Sequence, residues 1–335
     1  MLNIALFGAG RMGSVHAANI VANSRVQLAY VYDADAAAAE SVAGKCGARV
    51  APDVRTVLSD KTVDGVLIAS PTSTHVELIS VAARAGKAIL CEKPIDLDIA
   101  RVERCRRDLA DSGVIVQLGF NRRYDRSHCA VREAVRRGEI GALELLVITS
   151  RDVRPAPVDY LKVSGGIFRD MTIHDFDMAR FILGEDPIEE VHAVGSVMVD
   201  PALKEFGDVD TAMVTMKAAS GALVHINNSR RCVYGYDQRV EAFGARGMVR
   251  SENLRPSALV RYDAAVTAAK EPLLEFFVER YAQAYVDELD EFVDVLAGNK
   301  EPRANFEDGR RALILADAAW ASLKTGKAVR VRYDG

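Results

Sequence analysis

Short apolar runs alternate with stretches of helical period from residue 1 to about 120. The runs are Ile4 to Phe7, Val26 to Tyr32, Val63 to Ala69, Ala88 to Cys91 and Val114 to Leu118. Helices are predicted between them, for example at Ser14 to Val21, Val76 to Ala85 and Asp98 to Ala110. Nearly continuous apolar runs suit strands covered on both faces. Their alternation with helices is the βαβ rhythm of a parallel sheet. Residues 1–120 therefore read as a Rossmann domain, a doubly wound parallel sheet.

After Asn121 the rhythm changes. A helix is predicted at about Ser127 to Arg137, then a strand from Leu143 to Ser150 and an irregular, proline-containing stretch through Tyr160. The pattern predicts another helix from Asp170 to Leu183, stopped by Gly184. Four segments, Glu190 to Val199, Thr211 to Ala218, Ala222 to Arg231 and Gln238 to Phe243, then read as consecutive strands joined by glycine-bearing turns. The predicted fold class is α/β. Its second part, residues 121–335, is an α+β domain with a large open, mostly antiparallel sheet. Two late helices, about Phe276 to Leu296 and Phe306 to Lys324, have apolar stripes that could close against either domain.

Length and composition narrow the class. A chain of 335 residues suits two domains, and a formal net charge of -4 with mixed signs offers no basic face for nucleic acid. The locally basic Arg101 to Arg107 reads as the solvated side of a helix. No apolar segment approaches the roughly 18 residues that cross a bilayer, and with the first strand read directly from the N-terminus no secretory leader is expected. A cytoplasmic protein is expected. The five cysteines (Cys46, Cys91, Cys105, Cys129, Cys232) have no C-x-x-C spacing, so neither disulfides nor a metal is expected.

The candidate chemistry begins where the first strand runs into Gly8-Ala9-Gly10-Arg11-Met12-Gly13. Gly8 permits the tight turn, Gly10 lets the backbone approach a pyrophosphate, and Gly13 allows close helix packing. The phosphates would lie at the helix N-terminus. Asp33, at the end of the next strand, can accept hydrogen bonds from ribose hydroxyls and would repel a 2′-phosphate. With Ala34 following it, the expected cofactor is NAD.

Further polar residues fall at predicted strand exits, where open α/β sheets bind ligands. Ser70, Pro71, Thr72 and His75 follow one strand, and Glu92-Lys93-Pro94 follow another, which makes Ser70, Pro71, Thr72, His75, Glu92 and Lys93 candidate cofactor contacts. For His75, packing and cofactor contact stand as equal readings. In the second domain Asp170 and His174 lie four apart on the predicted helix and would share a face, as acid-base work requires. Gly165-Gly166 before them would free the backbone for ligand approach. Asp175 and Asp177 would point elsewhere, toward solvent or structural partners. A non-catalytic NAD-binding sensor is the alternative of another class, against which the Lys93, Asp170 and His174 set argues.

Taken in order, the Gly8 to Gly13 loop, Glu92-Lys93-Pro94, Gly119 to Asp125 and Asp170-x-x-x-His174 resemble the glucose-fructose oxidoreductase/inositol dehydrogenase/rhizopine catabolism (Gfo/Idh/MocA) family over essentially the whole chain. Arg122-Arg123-Tyr124-Asp125 and Tyr234-Gly235-Tyr236-Asp237 look most like the family's bacterial inositol dehydrogenases. The resemblance implies oxidation of an inositol, foremost myo-inositol, by a homotetramer joined through its large sheet. Scyllo-inositol, an aldose or another cyclic polyol is the alternative substrate. Lys93 would hydrogen-bond the reacting hydroxyl, His174 would be the general base, and Asp170 would position substrate and the His174 ring. Asn121, Arg122, Asp152 and Tyr236 would contact substrate. The chain departs from the family pattern at Asn121, where Met is usual, and at Ser150 to Asp152.

Overall fold

The computed structural model describes residues 1–110, 112–298 and 300–333. It divides into two compact units, residues 1–124 with 283–313 and residues 125–282 with 314–335.

Unit 1 alternates strands and helices as the apolar runs predict. Its elements are β1 (Leu2–Phe7), α1 (Arg11–Ala22), β2 (Val26–Tyr32), α2 (Ala36–Cys46), β3 (Arg49–Val50), α3 (Val54–Ser59), β4 (Gly65–Ile68), α4 (His75–Arg84), β5 (Ala88–Glu92), α5 (Ile99–Ala110) and β6 (Val116–Gly119). The strands pair in parallel in the order β3-β2-β1-β4-β5-β6. That is a Rossmann sheet, and its order reverses between β1 and β4, where ligands bind in such folds. The sequence pattern does not foresee β3 or α3. Two residues are too short for a strand signature, and α3 is one and a half turns started by Asp53, whose carboxylate accepts from Thr56 N at 2.7 Å. One face of the sheet packs Ile4, Leu6, Leu28 and Leu67 against Ala17, Ile20 and Val42 of the helices and against Leu289, Phe292 and Val293 from late in the chain.

Unit 2 contains α6 (Arg126–Arg136), β7 (Leu143–Arg151), α7 (Val158–Val163), α8 (Ile167–Asp170), α9 (Ile173–Leu183), β8 (Ile188–Ser196), β9 (Thr211–Ala218), β10 (Leu223–Ser229), β11 (Asp237–Gly244) and β12 (Gly247–Arg250). A short hairpin, β13 (Val260–Arg261) and β14 (Ala269–Lys270), precedes α10 (Phe277–Arg280). The predicted late helix is interrupted at Tyr281, after which α11 (Ala282–Leu296) supplies the residues packed on the unit 1 sheet. Residues 306–313 of α12 (Phe306–Thr325) count with unit 1 and the rest with unit 2, as does β15 (Val329–Arg330).

The large sheet runs β12-β11-β7-β10-β9-β8-β15, antiparallel throughout except for β7 beside β10. Strict alternation makes it two-faced. Leu146, Ile148, Val214, Met216, Val224 and Ile226 form the core with Phe176 and Ala179 of α9, while Leu145, Val194, Met213, Leu223 and Phe243 remain exposed. The strand predicted to reach Val199 ends at Ser196, because Asp210 gathers the next backbone: its carboxylate accepts from Met198 N, Val199 N and Asp200 N at 2.8, 2.8 and 2.9 Å. Among the described residues no helix is long and apolar enough to cross a membrane.

Candidate active site

The three glycines of the turn after β1 differ in what surrounds them. Gly8 has φ +103°, and a Cβ there would overlap Ser70 N and stand 2.5 Å from Ala69 C, so only glycine lets the β1 and β4 exits meet this closely. A Cβ on Gly13 would overlap Gly8 O. One on Gly10 would meet no protein atom within 4 Å, which leaves that backbone open to a ligand. Gly10 begins α1 without a side-chain cap, so Arg11, Met12 and Gly13 stand in a first turn whose N–H groups suit a phosphate.

Asp33 ends at this turn. One carboxylate oxygen accepts from Ala9 N at 2.6 Å and the other from Asp35 N at 2.9 Å. Asp35 in turn caps α2, accepting from Ala37 N at 3.0 Å. Two acids and no base in Asp33-Ala34-Asp35 form a poor seat for a 2′-phosphate. The open Gly10 backbone, the uncapped helix start and Asp33 together fit NAD.

Two of the strand-exit residues, His75 and Glu92, face inward. His75 is 1 % exposed and its ring lies between two carbonyl oxygens, Nδ1 at 2.8 Å from Pro94 O and Nε2 at 2.9 Å from Ser70 O. These contacts brace the β4 and β5 exits against each other, and burial above all lowers the His75 pKa. Glu92 turns its carboxylate to buried His16, with Nε2 2.7 Å from Oε1, and a Cβ on Gly119 would come within 3.0 Å of Oε2. His16, unmarked in the sequence reading, thus supports the strand that delivers Lys93. Ser70 Oγ lies 2.6 Å from Thr74 Oγ1, and Pro71 and Thr72 continue the same exit. Lys93 itself is half-buried at the end of β5, and its peptide bond to Pro94 is cis, which the sequence pattern does not reveal. Asn121 and Arg122 are buried in a one-turn helix, Asn121–Tyr124, after β6 and belong to unit 1 rather than to the second domain as read from the sequence.

In unit 2 the helix predicted from Asp170 is two helices. Asp170 is the last residue of α8, Met171 and Thr172 form a turn, and half-buried His174 stands in the first turn of α9. The two are brought together in sequence but not along one continuous helix face. Gly166 also has a different reason from the one expected: a Cβ there would stand 2.5 Å from Trp320 and 2.8 Å from Asp208 Oδ1, so its bareness serves internal packing.

Asp170 is held from both sides by residues that the sequence does not single out as candidates. Tyr160 Oη donates to Oδ1 at 2.8 Å, and Arg230 Nη1 to Oδ2 at 3.0 Å. Burial at the hydroxyl, with Asp170 next, pushes the Tyr160 hydroxyl far above the usual tyrosine range, so it stays protonated and donates to the carboxylate while its ring is half exposed. Asp152, whose N–H donates to Ser229 O at 2.9 Å, lies within the electrostatic reach of Arg230. No spacing rule links residues 160, 170 and 230, which is why the clamp was illegible. Tyr236 is buried edge-on against Tyr281, with ring centroids 6.1 Å apart, and Gly235 before it has φ +113°. Of the helix acids, Asp175 is fully buried and accepts from Ser150 Oγ at 2.5 Å and Asn228 Nδ2 at 2.8 Å, while Asp177 is 1 % exposed. Both are interior residues, so the solvent-facing reading of them falls.

Comparison with known proteins matches both parts of the chain. Residues 2–120 match the model of an oxidoreductase family with an NAD-binding Rossmann fold, and residues 128–250 match the GFO/IDH/MocA C-terminal domain. An inositol 2-dehydrogenase of Rhizobium meliloti is 45 % identical, the match covering 97 % of this chain and 98 % of that protein. The crystal structure of a myo-inositol dehydrogenase from Corynebacterium glutamicum superposes with a TM-score of 0.95 at 47 % identity, covering 99 % of both chains. A scyllo-inositol dehydrogenase from Lactobacillus casei, solved with NAD(H) and scyllo-inositol, gives a TM-score of 0.91 at 28 % identity over 98 % of each chain or more. With both of its parts matched, the chain belongs to the GFO/IDH/MocA family of NAD-binding oxidoreductases.

Proposed function

We propose that this oxidoreductase converts an inositol, foremost myo-inositol to 2-keto-myo-inositol, with NAD as acceptor. The full-length likeness to an inositol 2-dehydrogenase carries the reading, and it is supported by the presence of Lys93, Asp170 and His174 in this chain. NAD, when bound, supplies the carbon that receives the hydride. His174 takes the hydroxyl proton, and Lys93 donates a hydrogen bond to the reacting oxygen as negative charge grows on it. Asp170, a carboxylate with two accepting oxygens, orients the substrate and the His174 ring. Asn121, Arg122, Asp152 and Tyr236 offer the mixed donors and acceptors that a ring of hydroxyls needs.

NAD reduction measured with myo-inositol, scyllo-inositol, other cyclic polyols and aldoses tests the reading. Myo-inositol is expected to give the highest kcat/KM. Much faster turnover of scyllo-inositol or an aldose would move the assignment within the family. That second reading draws on buried Asn121, one of the positions where the chain departs from the pattern the resemblance implies. NAD binding with no turnover of any polyol would restore the sensor.

The enzyme is further proposed to work in the cytoplasm, where its five thiols suit a reducing medium, and as a homotetramer. Support for assembly comes from the outer face of the large sheet. There Leu145 pairs in register with exposed Leu223 and Phe243, and Met213 with Val194, a continuity unusual on a surface left to water. Light scattering on the purified protein reads the mass directly.

A further inference from the structure

We propose that Arg230 is a positioning residue for the oxidation chemistry, fixing Asp170 in one orientation with Tyr160 as the second jaw of a clamp. The inference rests on the proposed roles of Asp170 and His174. It begins from location: Arg230 is 1 % exposed, and its backbone N–H donates to Asp210 O at 2.8 Å, just past the end of β10. Its guanidinium meets Asp170 Oδ2 at 3.0 Å, while Tyr160 Oη meets Oδ1 at 2.8 Å. The two contacts take one oxygen each, so the carboxylate plane cannot rotate without losing one of them.

The segment bearing Asp170 is fastened along its length by the same region of the unit. Asp208 Oδ1 accepts from Ile167 N at 3.0 Å, where α8 begins, and Thr172 Oγ1 meets Asn228 Oδ1 at 2.6 Å, where α8 has ended. Arg169 is tied separately to Asp317 at 2.6 Å. Only Arg230 and Tyr160 bear on the carboxylate itself among these contacts.

Charge points the same way. Asp152, Asp170 and Asp208 all act electrostatically on Arg230, so one buried cation serves three acids. Arg230 Nε and Nη2 make no hydrogen bond to protein, and its contact with Asp170 is through Nη1 alone. A buried pair of this kind contributes little net stability, because desolvation offsets attraction, so its effect is on orientation.

The test compares Arg230→Met, Arg230→Lys and Tyr160→Phe with the wild-type enzyme. Arg230→Met is expected to lower kcat by about tenfold to a hundredfold, as small misplacements of catalytic groups do, with NAD affinity unchanged. Arg230→Lys restores part of that loss. Tyr160→Phe, on a ring that is half exposed and safe for folding, is expected to lower kcat by about threefold to tenfold, the loss of one hydrogen bond to a charged group. Unchanged kcat in Arg230→Met overturns the clamp, and if that variant does not fold, unchanged kcat in Tyr160→Phe overturns it. Hydrogen exchange of amides 167–174 gives an arm independent of substrate. It rises in the clamp variants if the proposal holds, and unchanged exchange refutes it. A wild-type enzyme inert toward every polyol would instead remove the proposed function, and exchange alone would then judge the clamp.

Discussion

In unit 1 the Gly8 to Gly13 turn is shaped by what its side chains lack, whereas in unit 2 the Asp170 segment is shaped by side chains brought from far along the chain. Gly8 and Gly13 could not carry a Cβ without overlapping neighbouring backbone, and Gly10 leaves its backbone open. Asp170 depends on Tyr160, Arg230 and, through the start of α8, Asp208. A site made of backbone needs only local spacing in the sequence. One made of converging side chains needs the whole fold first.

If that contrast reflects separate tasks, binding and chemistry should part cleanly on mutation. His174→Ala and Lys93→Ala should each lower kcat by about a hundredfold to ten-thousandfold, the range for acid-base and charge-stabilising groups, while NAD affinity stays at the wild-type value. Stopped-flow turnover with fluorescence titration of the dinucleotide measures both. A parallel collapse of NAD affinity in His174→Ala would break the separation.

Gly8→Ala and Gly10→Ala probe the backbone side. The first forces a non-glycine residue to φ +103° and into the β4 exit, with an expected loss of about 2–4 kcal/mol in urea unfolding and no measurable NAD binding. The second should fold with stability within about 1 kcal/mol of wild type and lose NAD affinity alone. Equal destabilisation of the two would mean that Gly10, like Gly8, is needed for the fold rather than left bare for a ligand. A milder change, Asp33→Ser, should weaken NAD by about tenfold or more, as loss of a charge-assisted hydrogen bond does, and raise the kcat/KM ratio of NADP to NAD. An unchanged ratio would remove Asp33 from cofactor choice.

The same contrast decides what could be read from the sequence. Both sheets were legible, because covered strands write apolar runs and half-covered strands write alternation: Val26–Tyr32 and Thr211–Ala218 end where the pattern ends. Asp33 was legible since a strand end follows from its strand. The break at Met171-Thr172 was not, because the helical period continues through it while Thr172 is drawn to Asn228, fifty-six positions away. Nor was the inward turn of His75 and Glu92. A strand exit tells which residues are near the crevice, and only the packed neighbours, Pro94 O and His16, tell which way they face.

The smallest predicted effect sharpens the comparison at its least visible point, the handling of buried acids. Unit 2 answers Asp170 with Arg230. Unit 1 has Glu288, fully buried, with neither carboxyl oxygen hydrogen-bonded to protein, near Glu92 and Glu291. Glu92 has His16, and Glu291 has Lys300 at 2.6 Å and Tyr124 Oη at 2.7 Å, but burial first and these two acids next raise the Glu288 pKa well above its ordinary value. Glu288 therefore keeps its proton in the folded state, while the unfolded chain releases it above about pH 4.3. With the folded pKa raised, the contribution to stability is complete below the unfolded value. It declines as pH rises from there toward the folded pKa. Glu288→Gln, neutral at every pH and nearly the same shape, removes that decline. Its stability should exceed that of the wild type by about 1 kcal/mol or more at pH 8, the worth of one pKa unit, with the gap closing toward pH 4. Urea unfolding at several pH values measures the gap, and a gap that does not vary with pH would mean that Glu288 is charged in the folded protein and that unit 1 too relies on a cation for its buried acids.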